Sequence, residues 1–132
     1  MSSRKETFVF SPDDGVPPQV GPFAHATRLG DLVFVTGQMP TDPATGQLVE
    51  GGVVEQAEQV RANLVAVLGR LGLTLDDALQ VRVYLTDFEA DFAAFNERYR
   101  TWFDGPLPAR TTVGVTGLAV GALVEIDLIA GR

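Results

Sequence analysis

Between residues 57 and 86 the apolar pattern changes its period, and this limits what the chain can build. Ala57, Val60, Leu64, Val67, Leu68 and Leu71 recur at helical spacing, and Gly72 is placed to stop the helix. Glu55, Glu58, Asn63 and Arg70 are assigned to its polar side. Over Gln80–Thr86 the pattern alternates, with Val81, Val83 and Leu85 on one face and Arg82, Tyr84 and Thr86 on the other. A helix that must bury one stripe, followed by a strand that must bury one face, calls for a helix packed on a sheet.

The same alternation recurs downstream. Phe88, Phe92, Phe95, Tyr99 and Phe103 form the apolar stripe of a second helix over about 89–103, read as a core face. Gly105-Pro106-Leu107-Pro108 ends it and feeds a strand over 111–115, and a turn over 116–121 leads to a last strand over 122–130. Upstream, strands are expected at 8–11, 23–29 and 32–36, followed by a loop from Gly37 to Gly52. Thr74 and Asp77 resemble a capping box that opens a short helical turn. The predicted order is β-β-β-α-β-α-β-β: an α+β fold with a mixed sheet and both helices packed on one face. At 132 residues this is a single domain, with 1–7 expected to be a mobile terminus. Arg82, Tyr84, Glu125 and Asp127 would then occupy the helix-free face, which needs a cover, and self-association is the economical one.

Composition narrows the chemistry. With no Cys, thiol nucleophiles and thiolate ligands are excluded. The single Lys is Lys5, and Ser2, Ser3 and Ser11 all lie near the terminus, so Schiff-base and serine-hydrolase chemistry lack their residues. His25 is the lone imidazole; a metal cage has no partners for it, and a structural role is the simpler reading. A net charge of −7 works against nucleic acid and anionic membranes. No run is long enough to span a bilayer and no secretory signal precedes the fold, so a cytoplasmic location is expected.

What remains is a small set of polar groups. Arg110 follows a stiff Gly-Pro-Leu-Pro-Ala segment at the mouth of a strand, where a guanidinium could grip a carboxylate with two parallel hydrogen bonds. The alternative is a plain ion pair with Glu125 or Asp127. Those two carboxylates share one face of the last strand, and crowding raises a carboxyl pKa towards values useful for moving protons. Asn96 reads as a surface residue and Thr112 as an ordinary strand threonine that could hydrogen-bond a ligand.

Five segments, in order, carry a resemblance: Gly-Pro-Phe at 21–23, Val-Thr-Gly-Gln-Met-Pro at 35–40, Phe-Asn-Glu-Arg-Tyr at 95–99, Pro-Ala-Arg-Thr-Thr-Val at 108–113 and Val-Glu-Ile-Asp-Leu-Ile-Ala at 124–130. Together they resemble the reactive-intermediate deaminase (Rid/YjgF) family over most of the chain. The resemblance implies a chorismate-mutase-like fold, a homotrimer with clefts between subunits, no cofactor, and small enamine or imine substrates such as 2-aminoacrylate, hydrolysed to a 2-keto acid and ammonia. It implies that Arg110 binds the substrate carboxylate and Glu125 directs the attacking water, with Phe23, Thr36, Gly37, Asn96 and Thr112 around the ligand. Phe23 stands where many members have a tyrosine, and Thr112 where they have a cysteine. Those departures open two alternatives: a trimeric protein that binds a small carboxylate without turning it over, or a pathway-specific deaminase acting on a larger imine, such as an aminomuconate-like or pyrimidine-derived one. Ribonuclease activity, also attributed to relatives, fits the acidic charge least.

Overall fold

The computed structural model describes residues 4–132. Its eight principal elements are β1 (Glu6–Phe8), β2 (Ala26–Leu29), β3 (Leu32–Gln38), α1 (Val53–Arg70), β4 (Ala78–Leu85), α2 (Phe88–Tyr99), β5 (Ala109–Gly114) and β6 (Val124–Gly131). The strands form one sheet in the order β1-β2-β3-β6-β4-β5. β4 and β5 are parallel neighbours, joined through α2 as a βαβ unit. β3 and β4 also run parallel, but β6 lies between them, antiparallel to both. The chain's last strand therefore fills the centre of the sheet.

Both helices cover one face, as the alternation predicts. Ala57, Val60, Leu64, Val67 and Leu68 of α1 are fully buried against Val81, Val83 and Leu85 of β4 and Val124, Ile126 and Leu128 of β6. Phe95 and Tyr99 of α2 join that core, with Phe88, Phe92 and Phe103 packed at its margin. The capping turn at Thr74 is also present: Thr74 N–H donates to the Asp77 carboxylate at 2.8 Å, over a 3-10 turn at Leu75–Asp77. No helix among the described residues is long and apolar enough to cross a membrane.

Several expectations need correction. Asn63 lies inside, not on the polar side of α1: its side-chain amide donates to the carbonyls of Met39 and Thr41, both at 2.9 Å. It ties the loop after β3 to the helix. The first strand is Glu6–Phe8 rather than 8–11, so Glu6 and Thr7, expected in a mobile terminus, pair with Arg28 and Thr27; residues 1–3 lie outside the described residues. β2 begins only at Ala26: Phe23 N–H turns back to the Gly21 carbonyl, and His25, just before the strand, bonds through its backbone to Phe8 and Thr36. The second helix stops at Tyr99, and its predicted last turn is a 3-10 turn over Arg100–Trp102.

Candidate active site

Arg110 is the second residue of β5, and its register partner Val81 faces the helices. The guanidinium accordingly lies over α2. Its Nη2 donates to Asn96 Oδ1 at 2.7 Å, and its carbon sits 4.7 Å from the Tyr99 ring centre and 5.7 Å from that of Phe95. Among the described residues it has no carboxylate at ion-pair distance. Asp127, the alternative partner, is already engaged by Arg82 (2.7 Å) and by the Tyr84 hydroxyl (3.0 Å). Arg110 is thus held by neutral groups, an amide oxygen and two aromatic faces, which position its charge without neutralising it.

Asn96, read from sequence as a surface residue, is this arginine's hydrogen-bond partner. Thr112, two residues on and on the same face, has a buried hydroxyl with no hydrogen-bond partner among the described residues, as does Tyr99. A buried hydroxyl without a partner costs about 1–3 kcal/mol, and Tyr99, whose ring lies under the guanidinium, carries one of the two. Burial pushes the Tyr99 hydroxyl up to about 12, with Arg110 pulling it slightly back, so its ring stays a neutral phenol beneath the cation. A pocket opens here between Asn96, Tyr99, Arg100, Leu107, Pro108 and Arg110. The turn that delivers β5 to it is anchored: Asp76 accepts the backbone N–H groups of Asp104 and Gly105.

Glu125 belongs to the other face. It pairs in register with Tyr84 and alternates with buried Val124 and Ile126, so it points away from the helices. Burial raises its carboxyl above the ordinary value of 4.5, and the neighbouring Asp127 charge raises it further. Its carboxylate lies directly over Gly37, where any Cβ would overlap it. Gly37 falls in an irregularity of β3, between the Val35 and Gln38 pairings to β6, which brings that backbone close. Glycine therefore leaves the carboxylate this position, and a Cβ here would make the glutamate side chain swing aside. Thr36, its neighbour, borders the open sheet face with Phe34, Gly37 and Asp127.

Phe23 and Gly37 border a second, narrower pocket with Pro17, Pro18, Met39 and Val120. His25 closes its floor as a structural residue: Nδ1 accepts Phe10 N–H at 2.9 Å, so the ring proton sits on Nε2 and donates to the Pro17 carbonyl at 2.7 Å. Val120 was not singled out in the sequence, and only the backbone identifies it. It has φ 56° and ψ 16°, making it the one non-glycine residue with positive φ among those described. A left-handed conformation costs an ordinary residue about 1–2 kcal/mol, and a β-branched one is a genuine outlier there.

The seven predicted site residues thus form two groups. Arg110, Asn96 and Thr112 gather at the helix side of β5, an edge strand. Glu125, Gly37, Thr36 and Phe23 gather beyond β6 on the helix-free side. Within one chain Arg110 and Glu125 lie on opposite faces of the sheet, with β4 between their strands.

The chain is similar to known proteins over most of its length. The family model described as endoribonuclease L-PSP matches residues 15–131. Protein DfrA of Myxococcus xanthus is 45% identical over 119 residues, 89% of this chain and 90% of that protein. The 2-iminobutanoate/2-iminopropanoate deaminase of Mus musculus is 40% identical over 114 residues, 86% of this chain and 84% of that one. Among solved structures, RidA from an Antarctic Psychrobacter superposes with a TM-score of 0.89 at 37% identity, covering 96% of this chain and 99% of that one. TdcF of E. coli with bound serine gives 0.88 at 32% identity, with coverage of 96% and 99%.

Proposed function

The chain belongs to the endoribonuclease L-PSP family, the Rid/YjgF group, and from that premise we propose that it hydrolyses small 2-imino acids, and the enamines that tautomerise to them, to 2-keto acids and ammonia. The observation that carries this reading is Arg110, a guanidinium fixed by Asn96 and Tyr99 with no carboxylate partner among the described residues. Such a group is prepared for a bidentate carboxylate. Three relatives bear the deaminase name, and the neighbour TdcF holds serine, a small amino acid with the same carboxylate.

The chemistry asks little else of the protein. The imine carbon is already electrophilic. Glu125 takes a proton from water as its oxygen bonds to that carbon, and the C=N pair moves onto nitrogen. The same proton then passes to nitrogen to give the carbinolamine; its hydroxyl proton follows to nitrogen through Glu125, the C–N bond breaks, and ammonia leaves as the carbonyl forms. One water enters and one ammonia departs, with no electron transfer. A glutamate whose pKa is raised by burial and by Asp127 is better matched to both transfers near neutrality than an exposed one.

Arg110 and Glu125 of one chain cannot share a ligand from opposite faces of a sheet, so the working site in this reading joins two copies. Contact between two different surfaces is heterologous and gives a ring when its rotation closes; a ring of three, with clefts between subunits, is the assembly proposed. The helix-free face, where exposed Phe34, Leu32 and Val113 surround Arg82, Glu125 and Asp127, is the surface that would be covered. No cofactor enters this scheme, and its partners are a small carboxylate substrate and further copies of the chain.

The test is clearance of 2-aminoacrylate generated in situ by wild type and by Arg110→Ala. Faster keto-acid release by wild type alone supports the proposal; spontaneous rates with both would remove it. In the latter case Phe23, which brings no hydroxyl to the Glu125 group, favours the second reading, a protein that binds a small carboxylate without turning it over. Cleavage of RNA is supported least, given the −7 charge and a single histidine with both ring nitrogens occupied.

A further inference from the structure

Arg110 rests on two rings, and those rings need a hold of their own. Tyr99, the closer of the two, has a hydroxyl with no hydrogen-bond partner among the described residues, so packing alone sets its plane. Three rings supply that packing: Phe103 at 5.1 Å, Trp102 at 5.3 Å and Phe95 at 5.6 Å between centres. Phe95, the second ring under Arg110, takes an edge-on contact from Trp102 at 5.9 Å and 87°. Trp102 thus meets both rings that carry the guanidinium. Of these four side chains it alone is tied by a hydrogen bond, from indole Nε1 to Glu58 Oε2 at 2.7 Å.

The acceptor belongs to another element. Glu58 lies on α1, and the guanidinium groups of Arg61 and Arg98 stand 3.8 Å from its carboxylate. An ionised acceptor makes such a bond roughly twice as strong as a neutral one. Trp102 itself sits in the short 3-10 turn that leaves α2, which offers few hydrogen bonds to fix a side chain. The bond to α1 therefore sets where the indole stands, and the indole sets the rings. Neither Trp102 nor Glu58 lines the Arg110 pocket.

We propose that Trp102 and Glu58 are positioning residues of Arg110: the indole anchored by Glu58 sets the Tyr99 and Phe95 rings, and these hold the guanidinium in the pose that grips a carboxylate. The proposal rests on the reading of Arg110 as the carboxylate clamp. A two-pronged hydrogen bond needs both direction and distance, so a tilt of the ring pair weakens it without removing any group that meets the substrate.

Trp102→Phe, Glu58→Leu and Glu58→Gln test this by calorimetric titration with pyruvate, whose carboxylate stands in for that of the substrate. Trp102→Phe and Glu58→Leu should each weaken pyruvate binding by roughly tenfold, within the range of couplings for residues in one network. Combined, they should weaken it no further, because both remove the same hydrogen bond. Glu58→Gln keeps an acceptor for the indole and should restore most of the affinity, although it discharges the contacts with Arg61 and Arg98. A role confined to joining the helices would lower the melting temperature of both variants and leave pyruvate affinity at the wild-type value, which would overturn the proposal. The Arg110 Nε–H resonance, assigned by its loss in Arg110→Lys, reads the pose of the guanidinium without any ligand. It should move in Trp102→Phe and Glu58→Leu and return in Glu58→Gln; an unmoved resonance overturns the proposal. If Arg110→Ala binds pyruvate as tightly as wild type, the clamp reading is what fails, and the resonance alone decides whether the two residues position the arginine.

Discussion

Arg110 makes one hydrogen bond and two ring contacts, which is modest support for a half-buried charge. Replacing it with alanine should leave the melting temperature nearly unchanged, yet lower kcat/KM on 2-imino acids by about 10²–10³-fold, the usual loss for one preorganised donor. Lysine at this position keeps the charge but not the two-pronged geometry, so Arg110→Lys should recover only part of the activity. Glu125 has the opposite signature. Its folded pKa is raised, so the folded state binds more protons than the unfolded one between the two values, and stability falls as pH rises through that window. Glu125→Gln should therefore melt higher than wild type at pH 7, with the gain disappearing as pH drops below the ordinary glutamate value of 4.5. The same variant should lose turnover. Equal melting temperatures for the two proteins across this range would show that Glu125 carries no burial penalty. Both residues could be picked out in the sequence by type and position. The partners of Arg110 could not, because a strand position does not say whether a guanidinium meets a carboxylate across the sheet or an amide from a helix above it.

At the scale of elements, helical period and strand alternation located α1, α2, β4 and β6 within a few residues, because each buries a long and regular face. The short edge strand β1 and the start of β2 were placed less well, since three or four residues carry little periodic signal. Asn63 shows a different limit. Its place on the polar side of α1 follows from residue type, whereas its burial follows from carbonyls 22 and 24 residues earlier in the chain. Removing that amide should be costly: Asn63→Ala leaves two carbonyls short of a donor and should lower unfolding free energy by about 2–3 kcal/mol in urea denaturation. Gly37→Ala should behave otherwise. Its Cβ must displace the Glu125 carboxylate, so activity should fall much further than stability. A variant that keeps full activity would mean that Glu125 has no fixed role.

At the scale of the whole molecule, the sequence named residues for a site that a single chain does not assemble. Alternation places Glu125 on the helix-free face, but the face of Arg110 follows from its register opposite Val81, and strand order then sets β4 between them: β6, last in sequence, enters the middle of the sheet while β5 stays at its edge. Association should follow from the helix-free face. Phe34→Glu, which puts a charge on that face, should reduce a multimer to single chains in sedimentation and abolish turnover with it. The most direct test is complementation. Arg110→Ala and Glu125→Gln, each inactive alone, are dissociated, mixed in equal amounts and reassembled, and 2-aminoacrylate clearance is measured. If each site takes its arginine from one copy and its glutamate from the next, random mixing leaves about a quarter of the clefts intact, and roughly a quarter of wild-type activity should return. A mixture as inactive as its components, although it reassembles, would contradict the shared site.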